Sequence, residues 1–583
     1  MSTPSAAPRT VRRVPFPLAE DDSSFGSSSS ALAQLPSDHF LAQRPVTPPR
    51  PESVIRPVTA RDVAHWTDGA RPDTSSLAAA DYDVSVVTGF MPPEEPVRTL
   101  KGFGSGWDEL EDSLEQVQTE AAAIPGGGVG KLSQQWRDSV RELPMASVEL
   151  LTTLPLLRRA HTLLAHLAHF YVHGVFPSDT RVPAQLAVPL VAVSDRLGLP
   201  PILTYADTVL WAWKLTDKAK GLRADNVEIT TMFTSTPSES AFFLLSLFCE
   251  LHGPSILRLM SSTLDEAFFA DAVALTRISS YLGSIALLID ELTQLMADST
   301  GGNFGPDKRE HIDPAAFYWE IRPWFNGGKW VYEGAGPDGE DQEMEWGGPS
   351  AGQSSLVHAL DLFLGVDHAP RPSSSGTATP QFPNTFVERL SEERKAVGTP
   401  TPVPMNPFDK LAGKKLAPPP TATLHKSPSD ATFMQRMSHY MPGHHRAFLQ
   451  HLSSLHSLNP SAPRAPVLPS LRELAALHPV ELGAAYDTAV KAMKRFRDVH
   501  IRLATFFIVS QARREPTRNS PHWAGWEARR VQKEREEEEK RLRGIAEEQK
   551  RDVIAGTGGT DLVTFLKRCR DRTAEAIMGE GQQ

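Results

Sequence analysis

Apolar residues recur at helical spacing through most of the chain and strand-like alternation is scarce, so the pattern predicts a mainly α protein. The clearest stripe runs from Ala484 to Val509. Tyr486, Val490, Met493, Phe496, His500, Leu503 and Phe507 are spaced by 4, 3, 3, 4, 3 and 4 positions, which is one face of an α-helix. Asp487, Lys491, Lys494, Arg495, Asp498 and Arg502 fall on the other faces. Upstream, Leu150 to Phe176 reads as a strongly apolar helix carrying His161, His166, His169 and His173. Residues 182–213 are also apolar, and Pro200-Pro201 should divide them into two helices. The run 238–253 opens on Ser238-Glu239 and ends on Gly253, predicting a helix of that length. A long helix from about Leu264 to Ala297 should follow.

The polar stretches set the organisation. Residues 1–55 are rich in Ser, Pro and Ala and read as a disordered tail. Residues 56–180 are helical with two Gly-rich interruptions and are expected to form a small N-terminal helical domain. A larger all-helical domain is expected from 181–368 and 433–575. It is split by a Pro/Thr/Ser-rich insertion, 369–432, with one short helix near 386–396. Within 513–555 no apolar residue lies between Val531 and Leu542, which excludes a coiled-coil seam and predicts a solvated, salt-bridged helical insertion. The glycines at 556–559 read as a mobile loop before a closing helix.

Composition narrows the class. The 583 residues carry a net charge of −10, so no global field favours nucleic acid. Only Cys249 and Cys569 are present, which gives neither a zinc spacing nor a disulfide framework and suits a reducing compartment. No unbroken run of 18 apolar residues appears, and the N-terminus has no apolar core of signal-peptide length. A cytoplasmic protein without a membrane span is expected.

Two local patterns invite a chemical reading. IPGGGVGKL at 124–132 suggests a phosphate loop, but Pro125 stands where the first glycine is needed and Leu132 where Ser or Thr should hold magnesium. The four histidines of 150–176 are spaced by 5, 3 and 4, which do not share one face, so core positions are expected over a metal site. His500 is different: six apolar neighbours share its stripe. An inward imidazole needs a partner, either a backbone carbonyl in a packed core or a metal at an apolar cavity.

The run FRDVHIRLATFFIV resembles the proximal-histidine helix of the indoleamine 2,3-dioxygenase family. LGLPPILTYADTVLWAW (197–213), SAFFLLSLF (240–248), FYWEIRPWFNGGKWVYEG (317–334), SAGQSSLVHALDLFLGV (350–366) and GTGGTDLVTFLK (556–567) are similar to further segments of that family, in the same order. The resemblance implies an all-helical haem-binding domain holding haem b, with His500 as the iron ligand and Arg497, Asp361, Ser350 and Ala351 near the haem edge. It implies insertion of both atoms of O2 across the indole C2–C3 bond of L-tryptophan. The product would be N-formylkynurenine, at the first step of the kynurenine pathway. Whether that serves tryptophan catabolism or NAD biosynthesis is left open by the residues.

In the same reading Phe242, Phe243, Phe317 and Tyr318 form aromatic walls, with Tyr205, Thr208 and Val209 at the back and Phe325 at the entrance. Ser246 sits near the bound gas. Arg322 grips the substrate carboxylate, and Thr557 adds a hydroxyl when its loop closes. Phe317, Arg322 and Ser246 are thus the candidate catalytic group. One departure stands out: Pro349 precedes Ser350 where the family usually has glycine, which removes an N–H and fixes φ. With the long insertions, that departure motivates an alternative, a haem-binding relative acting as a sensor or signalling scaffold with little tryptophan turnover. A monomer is expected, with no nucleic-acid partner.

Overall fold

The computed structural model describes residues 76–85, 87–104, 106–299, 312–368, 433–455, 468–516, 523–542 and 562–579. All of them lie in one compact unit, Val54–Gln583. The tail 1–55, the insertion 369–432 with its expected helix near 386–396, and the glycine loop 556–559 lie outside the described residues.

The fold is mainly α, as the pattern predicts. Helices α1 (Trp107–Ala123), α2 (Gln134–Arg141), α3 (Leu154–His173) and α4 (Ala184–Leu197) come first. Helix α3 is buried on almost every side, so its histidines cannot stay in water. Each finds a partner instead. His161 Nδ1 lies 2.7 Å from Asp207 Oδ1, His166 Nδ1 donates to Thr162 O at 2.7 Å, His169 Nδ1 to Trp324 O at 2.7 Å, and His173 Nε2 to Asn326 O at 2.8 Å. Among the described residues no cluster of His, Cys, Asp and Glu is arranged to hold a metal. These are core histidines.

After α4 and Pro200-Pro201 the second expected helix does not form. The chain makes one π-helical turn, Ala206–Leu210, and then strand β2 (Trp213–Leu215). The buried Asp207 carboxylate organises this turn, accepting from Thr204 N at 2.8 Å and Thr204 Oγ1 at 2.7 Å. Strand β2 pairs antiparallel with β3 (Val227–Ile229). A second sheet joins β1 (Arg181–Val182) in parallel to β4 (Gly328–Tyr332), which pairs antiparallel with β5 (Gln342–Trp346).

Helix α5 (Pro237–Ala267) runs well past the expected stop at Gly253, through Pro254. The local stop signal is overridden by packing: the C-terminal half of α5 buries Ile256, Leu257, Met260 and Leu264 in a core shared with α6 (Ala272–Asp298). The helix expected from Leu264 to Ala297 is broken instead at 268–271, where Asp271 caps α6 by accepting from Ala274 N at 2.8 Å. By length and composition α5 and α6 could each cross a membrane, with mean hydropathies of 1.4 and 1.6 in their most apolar stretches; here they pack on each other.

The chain continues through α7 (Ser355–Phe363), α8 (Phe433–Ser438), α9 (Gly443–Ser454), α10 (Leu471–Leu477), α11 (Ala484–Ala504), α12 (Trp523–Leu542) and α13 (Leu562–Glu575). Helix α12 falls within the charged stretch and carries an i,i+4 pair, Arg530–Glu534 at 2.7 Å. Helix α11 packs on α6 and α13. One residue assigned to its polar faces turns inward: Asp487 is buried and accepts from Met578 N at 2.9 Å, and Arg497, expected to pair with Asp361, is buried too.

Two hydrophobic cores result. One gathers α1, α3, α4, the 205–213 segment, the N-terminal half of α5 and the β4–β5 hairpin. The other gathers the C-terminal half of α5 with α6, α7, α9, α10 and most of α11.

Candidate active site

His500 stands where those cores meet. Tyr486, Val490 and Met493 upstream on α11 belong to the second core, whereas Phe507 downstream belongs to the first and Leu503 packs against it. His500 belongs to neither. It keeps accessible surface, yet burial pushes its pKa down to about 4, with the Arg497 charge acting the same way. The ring is thus desolvated enough to be held neutral while part of the residue keeps accessible surface. Among the described residues none hydrogen-bonds that ring. A neutral imidazole with no hydrogen-bond partner among the described residues fits an axial haem ligand, and no described carbonyl holds it as a core histidine.

Arg497, one turn back, is held by packed protein. Its Nη2 donates to Asp361 Oδ2 on α7 at 2.6 Å, and its Nη1 donates to Thr573 Oγ1 on α13. His368 Nε2 donates to the same Asp361 oxygen at 2.9 Å. Burial alone would raise the Asp361 carboxyl, but the Arg497 charge and the His368 bond outweigh it and hold it well below the usual carboxylate range. Helix α11 is thereby tied to α7 and α13 by one buried ionic centre.

The aromatic wall is contiguous. Phe242 and Phe317 have ring centroids 4.7 Å apart, Phe242 and Phe325 stack at 6.0 Å, and Phe243 lies 5.8 Å from Phe325. Phe507, on the π-helical turn that extends α11, meets Phe317 edge-on at 5.7 Å. The wall thus reaches round to the helix bearing His500. Phe325 is only 3% exposed and is part of the wall itself. Ser246 sits one turn along α5 from Phe242 on the same face and keeps accessible surface.

Phe317 and Arg322 are brought together by an irregularity. Residues Phe317–Ile321 form a π-helical turn in which Arg322 N donates to Phe317 O. In an α-helix residues five apart diverge; a turn that closes after five residues sets them one above the other. The Arg322 guanidinium lies 5.7 Å from the Tyr318 ring centre, and burial lowers its pKa from the ordinary arginine value. A cation so desolvated is suited to receive an anion.

A second group surrounds the 347–354 loop. Ser350 Oγ accepts from Gly352 N at 3.2 Å, and Ala351 is exposed beside it. Gln353 accepts from Tyr205 N at 2.8 Å and donates to Gly348 O at 2.9 Å, linking Tyr205 to the loop. Thr208 and Val209 are buried in the turn that follows Tyr205. The loop backbone presses on the segment that carries Arg322 and Phe325: a Cβ on Gly348 would stand 1.7 Å from Phe325 O, so only glycine fits. Pro349 follows directly. Thr557 lies outside the described residues.

A profile of the indoleamine 2,3-dioxygenase family matches residues 78–576. The chain belongs to the indoleamine 2,3-dioxygenase family. It is 27% identical over 518 residues to an indoleamine 2,3-dioxygenase of Aspergillus candidus, covering 86% of this chain and 98% of the relative. The Saccharomyces cerevisiae indoleamine 2,3-dioxygenase is 26% identical, covering 84% and 92%. A 6-hydroxytryptophan 2,3-dioxygenase of Fusarium equiseti is 25% identical, covering 85% and 97%. Members of this family are haem-dependent dioxygenases, and the chain is an enzyme of that class.

Several residues escaped the sequence reading. Phe507 was visible only as one of a stripe. Glu250 offered a weak signal, an acid two turns beyond Phe242 in an apolar run. His368 and Thr573 offered none, because their bonds to Asp361 and Arg497 exist only after folding.

Proposed function

We propose that this enzyme binds haem b through His500 and converts L-tryptophan and O2 to N-formylkynurenine, both oxygen atoms entering the product across the indole C2–C3 bond. The observation that carries the reading is His500, a neutral imidazole with no hydrogen-bond partner among the described residues, on a helix whose extension joins the Phe242–Phe317–Phe325 wall. Bound ferrous haem supplies the oxygen-activating redox chemistry. The chain's own residues do the rest. The phenylalanine wall takes the flat indole by stacking and edge contacts and keeps water from the reacting bond. Arg322 receives the α-carboxylate with two parallel hydrogen bonds, which orients the ring. Asp361 and Arg497 hold α11, and so fix the direction of the His500 ring.

The wall is apolar and the Arg322 grip reads only the amino-acid end, so an unsubstituted indole is the substrate we favour over a ring-hydroxylated one. We also read the enzyme as a cytosolic monomer, since both cysteines are free thiols and nothing in its chemistry needs a second subunit. The test is steady-state turnover of the ferrous, haem-loaded full chain with air and either L-tryptophan or 6-hydroxy-L-tryptophan. N-formylkynurenine formed at the higher kcat/KM from L-tryptophan supports the reading; turnover confined to the hydroxylated substrate overturns it.

A further inference from the structure

The acid at position 250 has no part in the chemistry above, yet it sits where three walls of the site converge. Phe242, Ser246 and Glu250 lie at i, i+4 and i+8 on α5, so one helical row carries a wall phenylalanine, a hydroxyl and a carboxyl. Glu250 is 1% exposed. Its Oε1 accepts from Tyr205 Oη at 2.9 Å and from Ser354 Oγ at 2.8 Å. Its Oε2 is buried with no hydrogen-bond partner among the described residues. Tyr205 belongs to the segment at the back of the site and Ser354 to the end of the 347–354 loop. The same loop is bound a second time to Tyr205 through Gln353.

We propose that Glu250 is a positioning residue for substrate recognition, clamping the Tyr205 segment and the 347–354 loop to the helix that bears the aromatic wall. The proposal rests on the reading that these elements line the tryptophan site. A buried acid is a costly way to join three elements, since one of its oxygens finds no hydrogen-bond partner among the described residues. Two hydroxyl donors meeting on one oxygen explain what offsets that cost: both loops are held in register by a single rigid acceptor on α5. Pro349 makes the clamp matter more, because this loop has a proline where an amide could otherwise hold it.

The experiment uses the haem-loaded full chain with Glu250→Ala, Glu250→Gln and Ser354→Ala. It reads KM and kcat for L-tryptophan, the spectral Kd for L-tryptophan, and haem content. Glu250→Ala should raise KM and Kd about 10-fold, the scale of one or two lost loop-holding hydrogen bonds, with kcat within about 2-fold and haem content unchanged. Glu250→Gln keeps a carbonyl that accepts both hydroxyls and should stay within about 3-fold of wild type. Ser354→Ala should fall between them. Unchanged Kd in Glu250→Ala, or a Gln variant as impaired as the Ala variant, overturns the clamp. So does haem loss in parallel with the rise in Kd, which would mark a general packing role. If the wild-type chain binds L-tryptophan without turning it over, the functional reading fails while the Kd series still decides the clamp.

Discussion

Replacing Arg497 by methionine should expose how much of the seating of α11 depends on one ion pair. The Arg497 and Asp361 side chains are 7% and 3% exposed, and their contact is 2.6 Å. Removing the guanidinium keeps most of the packing volume but leaves a buried carboxylate with His368 as its remaining donor partner. Breaking a buried pair from one side costs about 3–5 kcal/mol, mostly the penalty of the stranded charge. Removing both charges lifts that penalty, so Arg497→Met with Asp361→Leu should recover most of the loss. Urea unfolding of the four proteins at pH 7, followed by circular dichroism, gives the cycle. A coupling of at least about 2 kcal/mol is expected between the two positions. The pH dependence has a defined sign. Asp361 titrates below its unfolded value, so its contribution in the wild type is present above that value and fades only in acid. In Arg497→Met the depression is relieved and mild acid should narrow the gap to wild type. Additive effects, or a single-variant cost under about 1 kcal/mol, would refute the reasoning.

Three further outcomes follow from the site. Arg322→Ala should raise the KM for L-tryptophan at least about 10-fold with haem content intact, as lost charge-assisted bonds to a carboxylate require; loss of haem in that variant would count against the carboxylate grip. Gly348→Ala puts a methyl 1.7 Å from Phe325 O and should displace the loop, weakening tryptophan binding in a spectral titration while α11 and its haem signature stay as they are. Glu250 has its pKa raised from 4.5 to about 7 by burial. Such a group favours the folded state below pH 4.5 and loses that contribution as pH rises through about 7, roughly 3 kcal/mol in all. Glu250→Gln should therefore gain on wild type in urea stability between pH 5 and 8, and parallel curves would contradict the assignment.

The α11 stripe was legible because burial there follows the 3.6-residue period: Tyr486, Val490 and Met493 are buried as their spacing implies. The cap at Asp271 is a short-range signal that the expected long helix passed over. Helix α5 continues through Gly253-Pro254 because long-range packing outweighs a local stop, and packing is not written in any short window. The approach of Phe317 to Arg322 needs a π-helical turn, which has no sequence signature as plain as a cap. The Glu250 network was out of reach for a simpler reason. Its two donors, Tyr205 and Ser354, lie 45 and 104 positions away, and nothing in an isolated acid names them.

The most direct test is the absorption spectrum of the haem-reconstituted chain beside that of His500→Ala, with and without added imidazole. The account predicts a histidine-ligated Soret band in the wild type. It predicts that band's loss in the variant and its return when exogenous imidazole fills the vacated place. An unchanged spectrum in His500→Ala would mean that another residue holds the iron.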